Sequence, residues 1–136
     1  MVPNQIVRDF NIGALTIHST EDTYQWHTRL PAGYLYYLED CYIYSETNEA
    51  AGTTNVTTWQ LNDTDGNLVC SAPSSTAVPA AGLAFTSISS TYRWIDCTTA
   101  AENIFVSTVC SGEGQTFVNT HIIARFSVKR PAISTQ

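Results

Sequence analysis

From Phe117 to Lys129 the chain alternates: Val118, Thr120, Ile122, Ala124, Phe126 and Val128 fall on one face, and Asn119, His121, Arg125, Ser127 and Lys129 on the other. A period of two held over this length suits a strand with one buried and one wet face, and no helix can satisfy it. A strand that long must find partners, so its pattern commits the chain to a sheet. Shorter alternations recur upstream. Leu15 and Ile17 share a face within Gly13 to His18; Tyr24, Trp26, Thr28 and Leu30 oppose Gln25, His27 and Arg29; Thr57, Trp59 and Leu61 face together within Asn55 to Asn62. Tyr34 to Ser45, Asn67 to Ser71, Leu83 to Ser89, Tyr92 to Cys97 and Asn103 to Cys110 complete the strand signals, and no segment sustains a helical period. Turn residues punctuate them, at Pro31-Ala32-Gly33 and Asp63-Thr64-Asp65-Gly66, and Ala72 to Gly82 reads as an irregular loop. About eight antiparallel strands must pair or close their edges. The expected fold is therefore all-β, a two-sheet antiparallel sandwich of the jelly-roll type.

Composition narrows the function. The chain has 136 residues, 43% of them hydrophobic, which is too apolar for disorder and enough for one self-sufficient core. Twelve acidic residues against six basic ones give a net charge of −6. Phosphate neutralisation needs clustered Lys and Arg, so a nucleic-acid partner is not expected. The apolar run Ala77 to Phe85 is broken by Pro79 and Gly82, and Met1 to Asp9 carries polar and charged groups where a secretory leader has an apolar core. Synthesis in a cytoplasm with no membrane association is the expectation. The expected layout is a single domain over 1–136, with an N-terminal arm at 1–11, a sandwich at 12–129 and a tail at 130–136.

One strand does not fit a single core. In Tyr34 to Ser45, Tyr34, Tyr36, Leu38, Asp40, Tyr42 and Tyr44 alternate with Leu35, Tyr37, Glu39, Cys41, Ile43 and Ser45, and both faces are largely apolar or aromatic. Either a bulge near Leu38 switches the register, or both faces are covered. On the second account Tyr34, Tyr36, Tyr42 and Tyr44 form a subunit contact. Asp40 would then need a donor, from Arg29 or Arg125.

Signals for chemistry are sparse. Neither a nucleophile elbow nor a phosphate loop nor a zinc-protease motif occurs. Cys110-Ser111-Gly112-Glu113-Gly114 reads as a loop between strands, and His18, His27 and His121 are spread over three strands as polar surface residues. Asn62 to Asn67 has acidic residues at alternate positions but lacks the bidentate Glu of a calcium loop, so a turn is expected. Cys41, Cys70, Cys97 and Cys110 lack zinc-site spacing. In a reducing compartment they are small core residues, and bridges formed after release into an oxidising environment are the other possibility. Asn55-Val56-Thr57 and Asn62-Asp63-Thr64 match the glycosylation pattern only by accident in a cytoplasmic protein. Trp26 and Trp59 belong to apolar faces, leaving Trp94 as the one candidate for an exposed platform. No enzyme activity, cofactor or metal is expected.

The order of elements adds a resemblance. Gly13-Ala14-Leu15-Thr16-Ile17, the strand ending Arg29-Leu30-Pro31-Ala32-Gly33, the Asn55 to Ser71 hairpin turning at Asp65-Gly66-Asn67, and a late strand pair follow one another. This layout, over roughly residues 12–128, resembles the small β-sandwich domains of tailed-bacteriophage virions, found in head decoration (cement) proteins and in tail-fibre modules. The resemblance implies a structural virion protein on the capsid surface, made in the host cytoplasm. It also implies a homo-oligomer, most often a trimer, seated on the major capsid protein. Ile6, Val7, Arg8 and Phe10 in the arm, and Lys129 and Arg130 at the other end, would contact the capsid. The rival reading is a receptor- or glycan-binding module of a tail fibre, with a pocket around Tyr92, Trp94 and Asp96.

Overall fold

A computed structural model describes residues 5–17, 23–45, 47–50, 56–72, 82–111 and 115–129. They form two antiparallel sheets. In the first, β1 (Gln5–Ile17) pairs with β11 (Gln115–Lys129), which pairs in turn with β3 (Tyr34–Tyr44). The free side of β3 is shared by β9 (Trp94–Cys97) at its start and β7 (Leu83–Ala84) at its end. The short β4 (Thr47–Ala50) pairs with β11 at Gln115 to Val118. The second sheet has the order β2 (Thr23–Leu30), β10 (Glu102–Ser111), β5 (Val56–Asn62), β6 (Leu68–Ser71), β8 (Ser87–Ile88).

Four of the pairings nest: β1 with β11, β2 with β10, β3 with β9, and β5 with β6. The chain is thus a long two-stranded ribbon, closed at the β5–β6 turn and wrapped so that β11 meets β3 and β10 meets β5. That wrapping is the jelly roll, and it leaves the edges of the two sheets to β1 and the short β7 and β9, and to β2 and the short β8. Eleven strands are described rather than about eight; the ribbon accounts for eight, and β4, β7 and β8 are short additions to its margins.

From Thr120 onward the inward residues of β11 obey the alternation: Thr120, Ile122, Ala124 and Phe126 are buried, and Arg125 and Lys129 are exposed. Before Thr120 the parity changes, and Phe117 is buried where Val118 was expected. β11 carries one extra residue there, between the partners of Gly13 and Leu15, with Asn119 at φ +48°. The opposite sheet contributes Leu30, Trp59, Leu61, Ile104 and Val106 to the same core. Ring contacts lace the layers: Trp59 meets Trp26 at 6.0 Å and Phe117 edge-on at 5.4 Å, and Tyr36 meets Phe126 at 6.4 Å. Two large aromatics thus pack within one core, as expected for Trp26 and Trp59.

The expected N-terminal arm needs correction. Gln5 to Asn11 is not an arm but the first half of β1, hydrogen-bonded along β11 from Ser127 to His121. Phe10 is 3% exposed and Ile6 packs against the core, so both anchor the strand itself. Gly13, at φ +70°, sits between two register shifts and interrupts the alternation where the arm was expected to end. Residues 1–4 and the tail from Arg130 lie outside the described residues.

Candidate functional site

The Tyr-rich strand resolves through a bulge. Arg125 stands opposite Asp40 and Phe126 opposite Leu38, leaving Glu39 as the extra residue. Before it Tyr36 and Leu38 point inward; after it Cys41, Ile43 and Ser45 do. The expected row of four tyrosines is therefore split. Tyr36 is 1% exposed, with its hydroxyl donating to the Pro31 carbonyl at 2.9 Å, and burial raises its phenol pKa. Tyr34 is half-buried and packs edge-on to Tyr36, both lining a cavity of about 170 Å³ with Gln5, Ile6, Pro31 and Val128. Tyr36 is thus taken up by the core, with Tyr34 half-buried beside it.

Tyr42 and Tyr44 do face outward, 36% and 42% exposed, with rings stacked at 6.1 Å. Gly82 permits this. Its φ is +94°, and a Cβ there would lie 2.6 Å from the Tyr44 ring. Around the pair lie cross-strand neighbours on the same face: Ile123 opposite Tyr42, His121 opposite Tyr44, and Asp9 opposite Ile123. The His121 ring bonds the Asp9 carboxylate at 2.8 Å. Asp40 finds its donor within the chain, in an ion pair with Arg125 that holds the guanidinium above its ordinary pKa. Ser127 donates to the bulged Glu39.

A second aromatic group lies at the other end of this face. Tyr37 meets Trp94 edge-on at 4.6 Å, with the Arg93 guanidinium 4.2 Å and the Lys129 ammonium 5.8 Å from its ring centroid. Arg93 is fixed by two hydrogen bonds to the Leu38 carbonyl. Trp94 is 45% exposed, with Tyr92 and Asp96 also exposed. One Asp96 oxygen accepts from the Thr98 amide and hydroxyl, which lowers the carboxyl pKa. Val7 is exposed on β1, opposite Arg125.

The outward face of the second sheet is different in kind. Gln25, His27 and Arg29 on β2, Asn103 on β10, and Thr58 and Gln60 on β5 make it polar, with Phe105 half-buried and Ser107 buried among them.

Other expected features resolve simply. The Asp63 carboxylate accepts from the amides of Asp65 and Asn67 and from the Asn67 side chain, at 2.9 to 3.1 Å, so it shapes a turn. His27 and His121 lie on the outward faces of different sheets, and His18 lies outside the described residues. Among the described residues no three His, Cys, Asp or Glu side chains gather to hold a metal. Sequence reasoning missed Tyr37 and Arg93, whose pairing depends on β9 crossing the start of β3.

No family model matches the chain, and no curated protein matches it. Solved structures similar to it include several of infectious bursal disease virus. They include infectious bursal disease virus of the Gt strain, at 9% identity over 94% of this chain with a TM-score of 0.46. The Gx strain of that virus gives 8% identity over 95% with a TM-score of 0.45. A VP2 protein of the same virus, from derived particles, gives 9% over 94% and 0.43. The chain spans less than half of each of those chains, between 41% and 43%.

Proposed function

We propose that the protein is a structural virion component, a decoration (cement) protein that sits on the outside of a bacteriophage head and strengthens the shell by contact area. The observation that carries this reading is the contrast between its two outward faces. One presents Tyr42, Tyr44, Ile123, Val7, Tyr37 and Trp94; the other presents mainly amides, hydroxyls and charges, with Phe105 half-buried among them. Exposed aromatics gathered on one side of a small domain mark an interaction surface. Asp40 is paired with Arg125, and the Asp9 carboxylate is hydrogen-bonded to the His121 ring, so part of the charge on this surface is already partnered within the chain. Each ring would gain about 25 cal/mol per Å² of apolar area covered, with the hydroxyl free to reach a partner. Self-association into a trimer and seating on the major capsid protein would both draw on this face, with Lys129 at its margin.

The test is Tyr42→Ser with Tyr44→Ser, compared with the parent by sedimentation and by binding to isolated phage heads. A folded double variant that no longer self-associates or binds heads is the expected result. Parent-like assembly and binding would refute the reading. The exposed Trp94, with Asp96 on the same face of β9, favours a second reading: glycan binding by a tail-fibre module. It predicts instead that Trp94→Ala abolishes binding to a saccharide array while Tyr42→Ser leaves it intact.

A further inference from the structure

Two buried cysteines face each other across the sandwich. Cys41 projects inward from β3 and Cys70 inward from β6, in opposite sheets, 1% and 0% exposed. Between them the chain crosses from one sheet to the other. The Phe85 amide donates to the Cys41 carbonyl at 2.8 Å, and three residues later Ile88 stands opposite Cys70. Three extended residues span at most about 11 Å, so this short crossing ties the Cys41 and Cys70 strands together at one margin of the sandwich. Both thiols are free in this structure, and each belongs to the other's immediate surroundings. Cys97 sits elsewhere, on β9 near Tyr36 and Glu102.

We propose that Cys41 and Cys70 form an intrachain disulfide that joins the two sheets when the protein folds in the presence of a disulfide oxidant of the glutathione class. One cysteine thiolate attacks a sulfur of oxidised glutathione and expels a glutathione thiolate, which takes up a proton. The second cysteine thiolate then displaces the remaining glutathione from the mixed disulfide. The protein loses two thiol hydrogens, and one oxidised glutathione becomes two reduced ones. Burial raises the Cys41 thiol pKa and shields both sulfurs, so exchange belongs to folding, before the 83–89 crossing has closed over them. The bridge is independent of what the outward faces bind.

Full-length protein refolded from urea in mixed oxidised and reduced glutathione, and separately in reductant, provides the test. Intact mass, peptide mapping and thermal melting are measured on both. The oxidised sample is expected to be about 2 Da lighter, to yield a peptide linking Cys41 to Cys70, and to melt about 5–10 °C higher. Cys97→Ala keeps the link and the shift, and Cys41→Ser or Cys70→Ser loses both. The map of the unsubstituted chain decides the matter even where a variant fails to fold. Unchanged mass, or a link between any other pair, overturns the proposal.

Discussion

At the residue scale the outward face depends on a glycine. Gly82 holds a backbone conformation that side chains rarely adopt, and the Tyr44 ring occupies the place a Cβ would take. Gly82→Ala therefore meets two penalties at once, left-handed backbone strain and a displaced ring. A loss of about 1–2 kcal/mol is expected in urea unfolding. The Tyr42–Tyr44 stack should open as well, and near-ultraviolet circular dichroism in the tyrosine band would report it. Asp63 has a comparable local role. Its carboxylate satisfies three donors and Gly66 turns at φ +85°, which explains why a calcium-like string of acids is a hairpin turn.

At the element scale the decisive feature is the Glu39 bulge. Its one extra residue lets Tyr36 and Leu38 share the core with Cys41 and Ile43, although their positions have opposite parity. Deleting Glu39 forces one of these pairs outward. With about 1.5–3 kcal/mol at stake for each large side chain, the deletion should cost more than about 4 kcal/mol and leave little folded protein by circular dichroism. Glu39→Ala keeps the extra residue and loses an exposed bond to Ser127 and a solvent-screened attraction to Arg125, so it should stay within about 0.5 kcal/mol of the parent. The bulge was one of the two accounts the sequence left open, because both parities of this strand are largely apolar. The length of β1 was not. Gly13 broke the alternation, and Ile6 and Phe10 look like loose anchors until β11 is placed beside them.

At the scale of the whole molecule, ribbon wrapping brings distant acids together. The β5–β6 turn, the end of β9 and the start of β10 converge, so Glu102 lies near Asp65, Asp63 and Asp96. Desolvation first, and then these charges, raise the Glu102 pKa above the ordinary glutamate value. A folded state that holds this proton more tightly than the unfolded chain is favoured at low pH. The advantage is lost as pH rises through the raised folded value. Glu102→Gln is expected to stabilise the protein at pH 7 by about 0.5 kcal/mol. The gap from the parent should close as pH falls below the ordinary glutamate range, measured by urea unfolding between pH 3.5 and 7. A gap that widens on acidification would contradict the sign of the shift.

Alternation along β11, β2 and β5, together with closely spaced turns, determined by itself that the chain is an antiparallel sandwich with Trp26 and Trp59 inside and Trp94 outside. Those features are local: side-chain direction in a strand follows from the backbone's period of two, whatever lies alongside. Which tyrosines reach solvent was decided only when β11 met β3, because a bulge is defined by the partner strand and one strand's pattern can only suggest it. The facing of Cys41 and Cys70, and the gathering of Tyr37, Arg93 and Trp94, likewise exist only once the ribbon is wrapped. They join residues far apart in the chain, and closure of the sheets, rather than any spacing in the sequence, sets the distances between them.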